Sequence, residues 1–200
     1  LDSIAWLLNI RGSDIAHTPV VLANLIVRAG GDADLFVAPG KVTSELRAHL
    51  GEAVRIADPD AFVPAFEALR ARRVALDPDH TVEAIQAALE AAGAQVVALA
   101  DPTLVPRAIK NPVEQQGQRE AHARDGAAMA RFLHWLSLEA PKGEVDEIAA
   151  SDRLEAFREE TGCLRDLSFD TISGAGPNGA IVHYRASAGT CRRLEPGSVY

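Results

Sequence analysis

The sequence predicts an α/β protein of two domains, and three observations lead to this fold class. Helical patterns alternate with short apolar strands over residues 1–101. Prolines then interrupt the pattern within residues 102–112, and a long polar, alanine-rich helix pattern follows. Alternating helices and strands favour a mainly parallel sheet covered by helices. We therefore predict one domain over residues 1–101, a linker over 102–112, and a second α/β domain over 113–200 that is only partly contained in the chain.

The first domain is predicted to open with a short helix and a strand pair. Apolar residues repeat at helical spacing behind Asp2, which predicts an N-capped helix over residues 2–10. Two apolar, β-prone segments, 20–28 and 34–38, are joined by Ala-Gly-Gly-Asp. This composition is typical of a hairpin turn, so we expect the two strands to pair antiparallel.

The rest of the first domain alternates helix with strand. Each strand is a short apolar segment, and each helix shows apolar residues three and four positions apart. The predicted helices cover 43–50, 61–71 and 81–92, and the predicted strands cover 53–57, 73–77 and 95–99. These strands extend the sheet that the hairpin begins.

The second domain begins with two helices. The linker contains a short helix between its prolines. A long helix is predicted over 113–139 and ends before Pro-Lys-Gly, and a second helix covers about 144–161. Two strands, 164–173 and 179–184, are expected to flank a glycine-rich turn.

The composition excludes several classes of partner. The chain has 28 acidic and 20 basic residues and a pI near 5.2, so it has no general attraction for nucleic acid or anionic lipid. Its apolar segments are shorter than the roughly 20 residues that a membrane span needs, and its start lacks a basic signal region. Cys163 and Cys191 have no neighbouring cysteine at zinc-ligand spacing. We expect a soluble cytoplasmic protein.

The two ends of the chain predict a piece of a longer protein. The first residue is not methionine. The last six residues have the pattern of a turn followed by the start of a strand, which would have no partner to pair with.

The glycine-rich turn matches the pattern G-x-G-x-x-G through Gly174, Gly176 and Gly179. A dinucleotide site needs a helix directly after these glycines, because free N–H groups at the helix start bind the pyrophosphate. Here a short β-prone segment follows, so a hairpin turn is favoured over a nucleotide site. The Pro-Asn-Gly sequence within it is typical turn chemistry.

A strand after this turn would place Ile181 and His183 on one face and Val182 and Tyr184 on the other. His183 is then either a catalytic group delivered by the turn or a histidine on a partly exposed strand, and spacing alone favours the second. Near the amino terminus, Arg11, Asp14 and His17 form either a polar cluster or a hydrogen-bonded loop, of which the loop is favoured.

Three segments resemble one known family. Residues 110–128, KNPVEQQGQREAHARDGAA, resemble the opening helix of the catalytic domain in the Xaa-Pro aminopeptidases, or aminopeptidase P, of the creatinase/prolidase superfamily. Residues 166–173, DLSFDTIS, and 176–184, GPNGAIVHY, resemble a strand pair of that domain. Residues 4–14, IAWLLNIRGSD, resemble the start of the middle domain in the three-domain members.

The resemblance implies a metallopeptidase that removes the first residue from peptides with proline in second position. It implies a creatinase-N, ribonuclease-H-like middle domain followed by the start of a pita-bread catalytic domain. Family members hold two divalent ions, usually manganese and sometimes zinc, and the histidine after their Gly-Pro-Asn-Gly turn lies beside the metals. That role transfers to His183 as the catalytic residue of this chain. A homodimer is expected for the whole protein.

The resemblance also implies what the chain lacks. In the family, two Asp, one His and two Glu bind the metals, and all five are expected beyond Tyr200. No metal ligand or bound cofactor is therefore expected within the chain, and the fragment alone should be inactive. The alternative is a pita-bread module that binds peptide or protein without catalysis, and a third interpretation is a creatinase or prolidase.

Overall fold

The computed structural model describes all 200 residues and divides into two compact units, Leu1–Lys110 and Asn111–Tyr200. The boundary between the units falls within the segment 102–112, where prolines interrupt the pattern of the sequence. No helix of the chain is both long enough and apolar enough to cross a membrane.

The first unit contains four α-helices and five strands. In chain order they are α1 Asp2–Leu7, β1 Ala23–Val27, β2 Ala33–Val37, α2 Ser44–Leu50, β3 Val54–Ala57, β4 Arg73–Leu76, α3 Glu83–Ala91, β5 Gln95–Ala98 and α4 Leu104–Ala108. The predicted cap of α1 is wrong, because Leu1 occupies the N-cap position and Asp2 lies in the first turn. The cap of α2 is the Thr43 side chain, which accepts a hydrogen bond from the Leu46 amide at 3.1 Å.

The strands form two ladders. β1 pairs antiparallel with β2, as the Gly-Gly turn predicts, and β2 pairs parallel with β3. β4 and β5 pair parallel with each other in a separate ladder. The prediction of one continuous sheet is therefore wrong. The two ladders share no backbone hydrogen bonds and contact each other through side chains, since Ile26 of β1 packs against the cluster around Phe66 and Leu89.

The helix predicted over 61–71 is a pair of 3-10 helices, Pro59–Ala61 and Pro64–Leu69. Pro64 lies inside the predicted span and has no N–H to donate to the carbonyl four residues earlier, so it interrupts the bonding pattern of an α-helix there. The segment still buries Phe66, which is 2 % exposed. Its apolar residues thus contribute to the core as a helix would.

The second unit is built on two α-helices, α5 Pro112–Glu139 and α6 Glu147–Glu159. Asn111 and Glu114 form a capping box at the start of α5, with Pro112 in the first turn. The Asp146 side chain caps α6 by accepting from the Ala149 amide at 2.8 Å. The sequence therefore carries the start signals of both helices.

α5 and α6 pack against each other through a buried apolar cluster with ion pairs at its margin. Arg158 binds Asp125 at 2.7 Å, and Arg131 pairs with Glu160. The guanidinium groups of Arg131 and Arg153 lie 4.5 and 4.1 Å from the ring centroid of Phe157. The cluster contains Ala128, Phe132, Val145, Ala150, Phe157, Ala175 and Leu194.

The two strands predicted over 164–173 and 179–184 are wrong. Residues 164–175 carry no helix or strand, and Gly176–Ala180 is a 3-10 helix. The amides of Ile181 and Tyr184 donate to carbonyl oxygens three residues earlier. Because these groups are used in local turns, they cannot form the ladder of a hairpin.

Candidate functional site

The G-x-G-x-x-G segment forms a tight turn, and its glycines have separate structural roles. Gly176 has φ +54°, a conformation that residues with a side chain rarely adopt. A Cβ on Gly174 would lie only 3.0 Å from the Gly179 amide nitrogen. The turn leads into Ile181 without an α-helix, so it lacks the helix start that binds a pyrophosphate.

His183 lies at the end of this turn and is exposed to solvent. Its backbone has φ +54°, which is uncommon for a residue other than glycine. Val182 before it is 84 % exposed, whereas Tyr184 after it is 6 % exposed. Ile181 and Val182 are both exposed, so the two-faced strand predicted for these residues is not formed.

Glu147, the first residue of α6, is fully buried and anchors the turn. Its Oε1 accepts from the Ala175 amide at 2.7 Å and from Asn178 Nδ2 at 2.9 Å. Its Oε2 accepts from the Tyr184 hydroxyl at 2.7 Å and from the Arg192 amide at 3.0 Å. One carboxylate therefore binds the chain on both sides of His183.

The hydrogen bonds around Glu147 extend to neighbouring groups. The Ser173 hydroxyl donates to the Glu147 carbonyl oxygen at 2.6 Å and lies 3.0 Å from the Tyr200 hydroxyl. Asn178 Nδ2 also donates to the Thr190 carbonyl at 3.0 Å. Buried polar groups cost free energy unless they are hydrogen-bonded, and here they satisfy one another.

The Glu147 carboxylate is ionised at neutral pH. Burial alone would raise its pKa, but hydrogen bonds from Ala175, Tyr184, Asn178 and Arg192 outweigh burial and hold that pKa below its usual value. The same environment raises the pKa of the Tyr184 phenol, through burial and through its bond to the carboxylate. The hydroxyl therefore stays protonated and remains a donor.

Glu147, Asn178 and Tyr184 were not among the site residues predicted from the sequence. A usable signal was present for Glu147, because it precedes Ala150, Leu154 and Phe157 at helical spacing and so lies on the apolar face of α6. A carboxylate on such a face needs hydrogen-bond donors from elsewhere. Its partners lie far along the chain, and spacing alone does not identify them.

A cleft of the second unit has a volume of about 730 Å³ and lies between the helices and residues 163–172. Arg124, Arg158, Cys163 and Phe169 are among its lining residues. His183 is not among them. His183 therefore does not belong to the wall of this cleft.

The candidate residues near the amino terminus bind their own loop. Arg11 donates to the carbonyl oxygens of Ala5 and Ile10 at 3.0 and 2.9 Å. Asp14 accepts from the Leu22 amide and from Lys41 Nζ, each at 2.6 Å. His17 has φ +59° in the same loop. These contacts match the hydrogen-bonded loop that the sequence favours for Arg11 and Asp14.

The residues of the chain do not by themselves form a metal site. No group of three or more His, Cys, Asp or Glu side chains among residues 1–200 is placed to hold a metal ion. His183 lies at the end of the turn and Glu147 binds the turn through hydrogen bonds. Neither residue belongs to a group of metal ligands in the chain.

Comparison with known families accounts for almost the whole chain. Residues 1–114 match the Creatinase/Prolidase N-terminal domain, and residues 116–200 match Metallopeptidase family M24. A protein named "Probable Xaa-Pro aminopeptidase P" from Aspergillus fumigatus is 38 % identical over 212 residues, which cover 100 % of this chain and 32 % of that protein. One of the same name from Aspergillus niger is 37 % identical over 217 residues, covering 100 % of this chain and 34 % of that protein.

Solved structures share the fold. X-prolyl aminopeptidase from Caenorhabditis elegans, described as a cytosolic enzyme with a di-nuclear active site, superposes with a TM-score of 0.86 at 28 % identity, covering 99 % of this chain and 33 % of that one. Xaa-Pro dipeptidase from Bacillus anthracis superposes with a TM-score of 0.67 at 20 % identity, covering 98 % of this chain and 52 % of that one. At this identity the match supports the fold alone.

The chain spans about a third of the length of the aminopeptidases that it matches. The α/β class and the succession of a creatinase-type domain and the start of a pita-bread domain are confirmed. The chain belongs to the creatinase/prolidase family, with a creatinase/prolidase N-terminal domain followed by a segment of metallopeptidase family M24.

Proposed function

We propose that the full-length protein is an Xaa-Pro aminopeptidase, which releases the first residue of peptides that carry proline in second position. The observation that supports this most is the fold shared with an X-prolyl aminopeptidase over 99 % of the chain, at a TM-score of 0.86. Curated relatives with the same name match the chain from end to end. Peptides with an Xaa-Pro amino terminus are the proposed substrates.

We propose His183 as the catalytic residue that this chain contributes. Its imidazole is exposed at the end of the turn, and the carboxylate of Glu147 binds the chain on both sides of it. A positioned imidazole can donate a hydrogen bond or transfer a proton at a reacting carbonyl. Both tasks require an accessible ring on a fixed backbone, which this turn provides.

The full-length enzyme is proposed to use two divalent metal ions, with manganese favoured and zinc as the alternative. The C. elegans enzyme is described as having a di-nuclear site. Such a pair can activate a water molecule as the nucleophile. Residues 1–200 hold no group of metal ligands, so the part of the reaction assigned to this chain is that of His183.

We further propose that the full-length protein is a cytoplasmic homodimer, and that residues 1–200 alone have no peptidase activity. The cytosolic description of the C. elegans enzyme supports the location. Light scattering of the purified full-length protein tests the dimer, and a monomeric mass would contradict it.

The decisive experiment is peptide hydrolysis by the full-length protein loaded with manganese. Release of the first residue from Xaa-Pro-Xaa tripeptides, without release from matched Xaa-Ala-Xaa peptides, supports the aminopeptidase. Cleavage of Xaa-Pro dipeptides alone would identify a prolidase. Peptide binding without any cleavage would identify a non-catalytic module and would overturn the proposal.

A further inference from the structure

We propose that Glu147 is a positioning residue, which sets the conformation of the turn that presents His183. The proposal rests on the aminopeptidase function proposed above. The Glu147 side chain is buried, and it binds the backbone amides of Ala175 and Arg192, which lie on either side of His183 in the sequence.

The contacts of Glu147 surround His183 along the chain. Ala175 and Asn178 precede His183, and they donate to Oε1 at 2.7 and 2.9 Å. Tyr184 follows directly, and its hydroxyl donates to Oε2 at 2.7 Å. The carboxylate therefore fixes the position of the chain before and after the imidazole with one rigid group.

The network requires a carboxylate at this position. Oε1 of Glu147 faces two N–H donors and Oε2 faces three N–H or O–H donors, because Asn178 Nδ2 reaches both oxygens, and every one of these donors is neutral. A glutamine would direct its NH₂ group at the donors that face one of the two oxygens, because an amide has only one acceptor oxygen. The backbone amide of Ala175 or of Arg192 would then lose its acceptor, and the turn would have to move to satisfy it.

The His183 backbone shows why the flanking contacts matter. A φ of +54° is unfavourable for a residue with a Cβ and persists only where the surroundings impose it. Tyr184 is buried and bonded to Glu147, whereas Val182 is exposed. The backbone conformation of His183 is therefore restrained mainly by Tyr184, which is itself held in place by its hydrogen bond to Glu147.

Glu147 lies on helix α6, which is packed into the core of the second unit. Ala150 and Phe157 on the same helix are 0 % and 5 % exposed within the core of the second unit. The Glu147 amide also donates to the Arg192 carbonyl at 3.1 Å. A site held on a packed helix is more precise than one held by loops alone.

The test compares three variants of the full-length, metal-loaded protein. Glu147→Gln removes the charge and one acceptor, and Tyr184→Phe removes a single donor while keeping the carboxylate. Glu159→Gln, an exposed position on the same helix, is the matched control. The measurements are kcat and KM on an Xaa-Pro-Xaa tripeptide, the melting temperature, and the NMR signal of ¹³C-labelled histidine, with His183→Ala identifying the His183 signal.

We expect Glu147→Gln to lower kcat by about 10-fold, the loss typical of a residue that orients a reacting group. KM should change by less than about threefold, since ground-state binding is not removed. The His183 signal should shift, Tyr184→Phe should show the same changes to a smaller degree, and Glu159→Gln should show none. An unchanged kcat and an unmoved His183 signal in folded Glu147→Gln protein would overturn the proposal.

A purely structural role would lower the melting temperature while leaving kcat per folded molecule intact, and that result also contradicts positioning. If Glu147→Gln does not fold, Tyr184→Phe decides the question by the same measurements. If the wild-type protein cleaves no peptide, the aminopeptidase function fails by itself. The His183 signal in the variants then still decides whether Glu147 sets the conformation of the turn.

Discussion

Two residues of the second unit are connected through one turn although their surroundings are opposite. Glu147 is 0 % exposed, whereas His183 is exposed at the end of the glycine-rich turn. His183 could be predicted as a site residue from the resemblance of the GPNGAIVHY segment to a family, because this motif is contiguous in the sequence. Glu147 was missed because its partners lie 28 to 45 residues away along the chain.

Replacing His183 tests its proposed role. His183→Ala in the full-length protein should lower kcat by roughly 10²-fold or more, the loss expected when a positioned acid, base or oxyanion donor is removed. His134→Ala, an exposed histidine on α5, should leave kcat unchanged. Steady-state kinetics on an Xaa-Pro-Xaa peptide measure both, and an unaltered kcat in His183→Ala removes the assignment.

A side chain at Gly174 is expected to crowd the backbone of Gly179. A Cβ there would lie 3.0 Å from the Gly179 nitrogen and 3.1 Å from its Cα, both of them backbone atoms. Gly174→Ala should therefore destabilise the protein by about 1–3 kcal/mol, the usual cost of overpacking. Thermal melting measures this loss. Gly189→Ala, where a Cβ meets nothing within 4 Å, is the control, and equal melting of the two variants would refute the close approach.

Among the secondary-structure elements, those with local signals agree best with the sequence prediction. The capping residues Asn111 and Asp146 precede the two long helices, and the Gly-Gly turn joins β1 to β2. The elements that disagree depend on distant partners. The strands expected around residues 164–184 need a neighbouring backbone, and the sequence pattern does not show whether one is available.

The start of α5 is expected to depend on its capping box. Asn111→Ala removes the side-chain oxygen that accepts from the Glu114 amide at 2.9 Å. The cost should be about 1 kcal/mol, with faster fraying of the first turn. Amide hydrogen exchange of the peptide that contains Glu114 measures this. Gln118→Ala, an exposed position on the same helix, should leave the protection unchanged, and equal exchange in the two variants would contradict the cap.

For the whole molecule, the response to acid should come in part from a buried carboxylate in the first unit. Asp34 of β2 is 2 % exposed and binds Arg55 at 2.7 Å as well as Arg28. The hydrogen bond from Arg55 outweighs burial and, together with Arg28, lowers the pKa of Asp34 from 3.8 to about 2. The unfolded chain therefore takes up this proton first as the pH falls.

Asp34 should thus stabilise the first unit above about pH 4 and lose this contribution as the pH falls towards 2. The contribution amounts to at most about 2 kcal/mol. Asp34→Asn should lower the stability of the first unit at pH 7 and should weaken the change of stability with pH between about pH 4 and pH 2. Asp79→Asn, at an exposed position, should have neither effect. Hydrogen exchange of the β2 peptide at a series of pH values measures the effect. An unchanged pH slope in Asp34→Asn would show that the ion pairs contribute nothing.

The two buried carboxylates should also differ in their response to ionic strength. The arginines that bind Asp34 are 42 % and 69 % exposed, so dissolved ions can screen their attraction to the carboxylate. Glu147 is surrounded by neutral dipoles inside the fold, and sodium chloride cannot compete with these contacts. Raising the salt concentration should therefore loosen the neighbourhood of β2 while the turn that bears His183 keeps its shape.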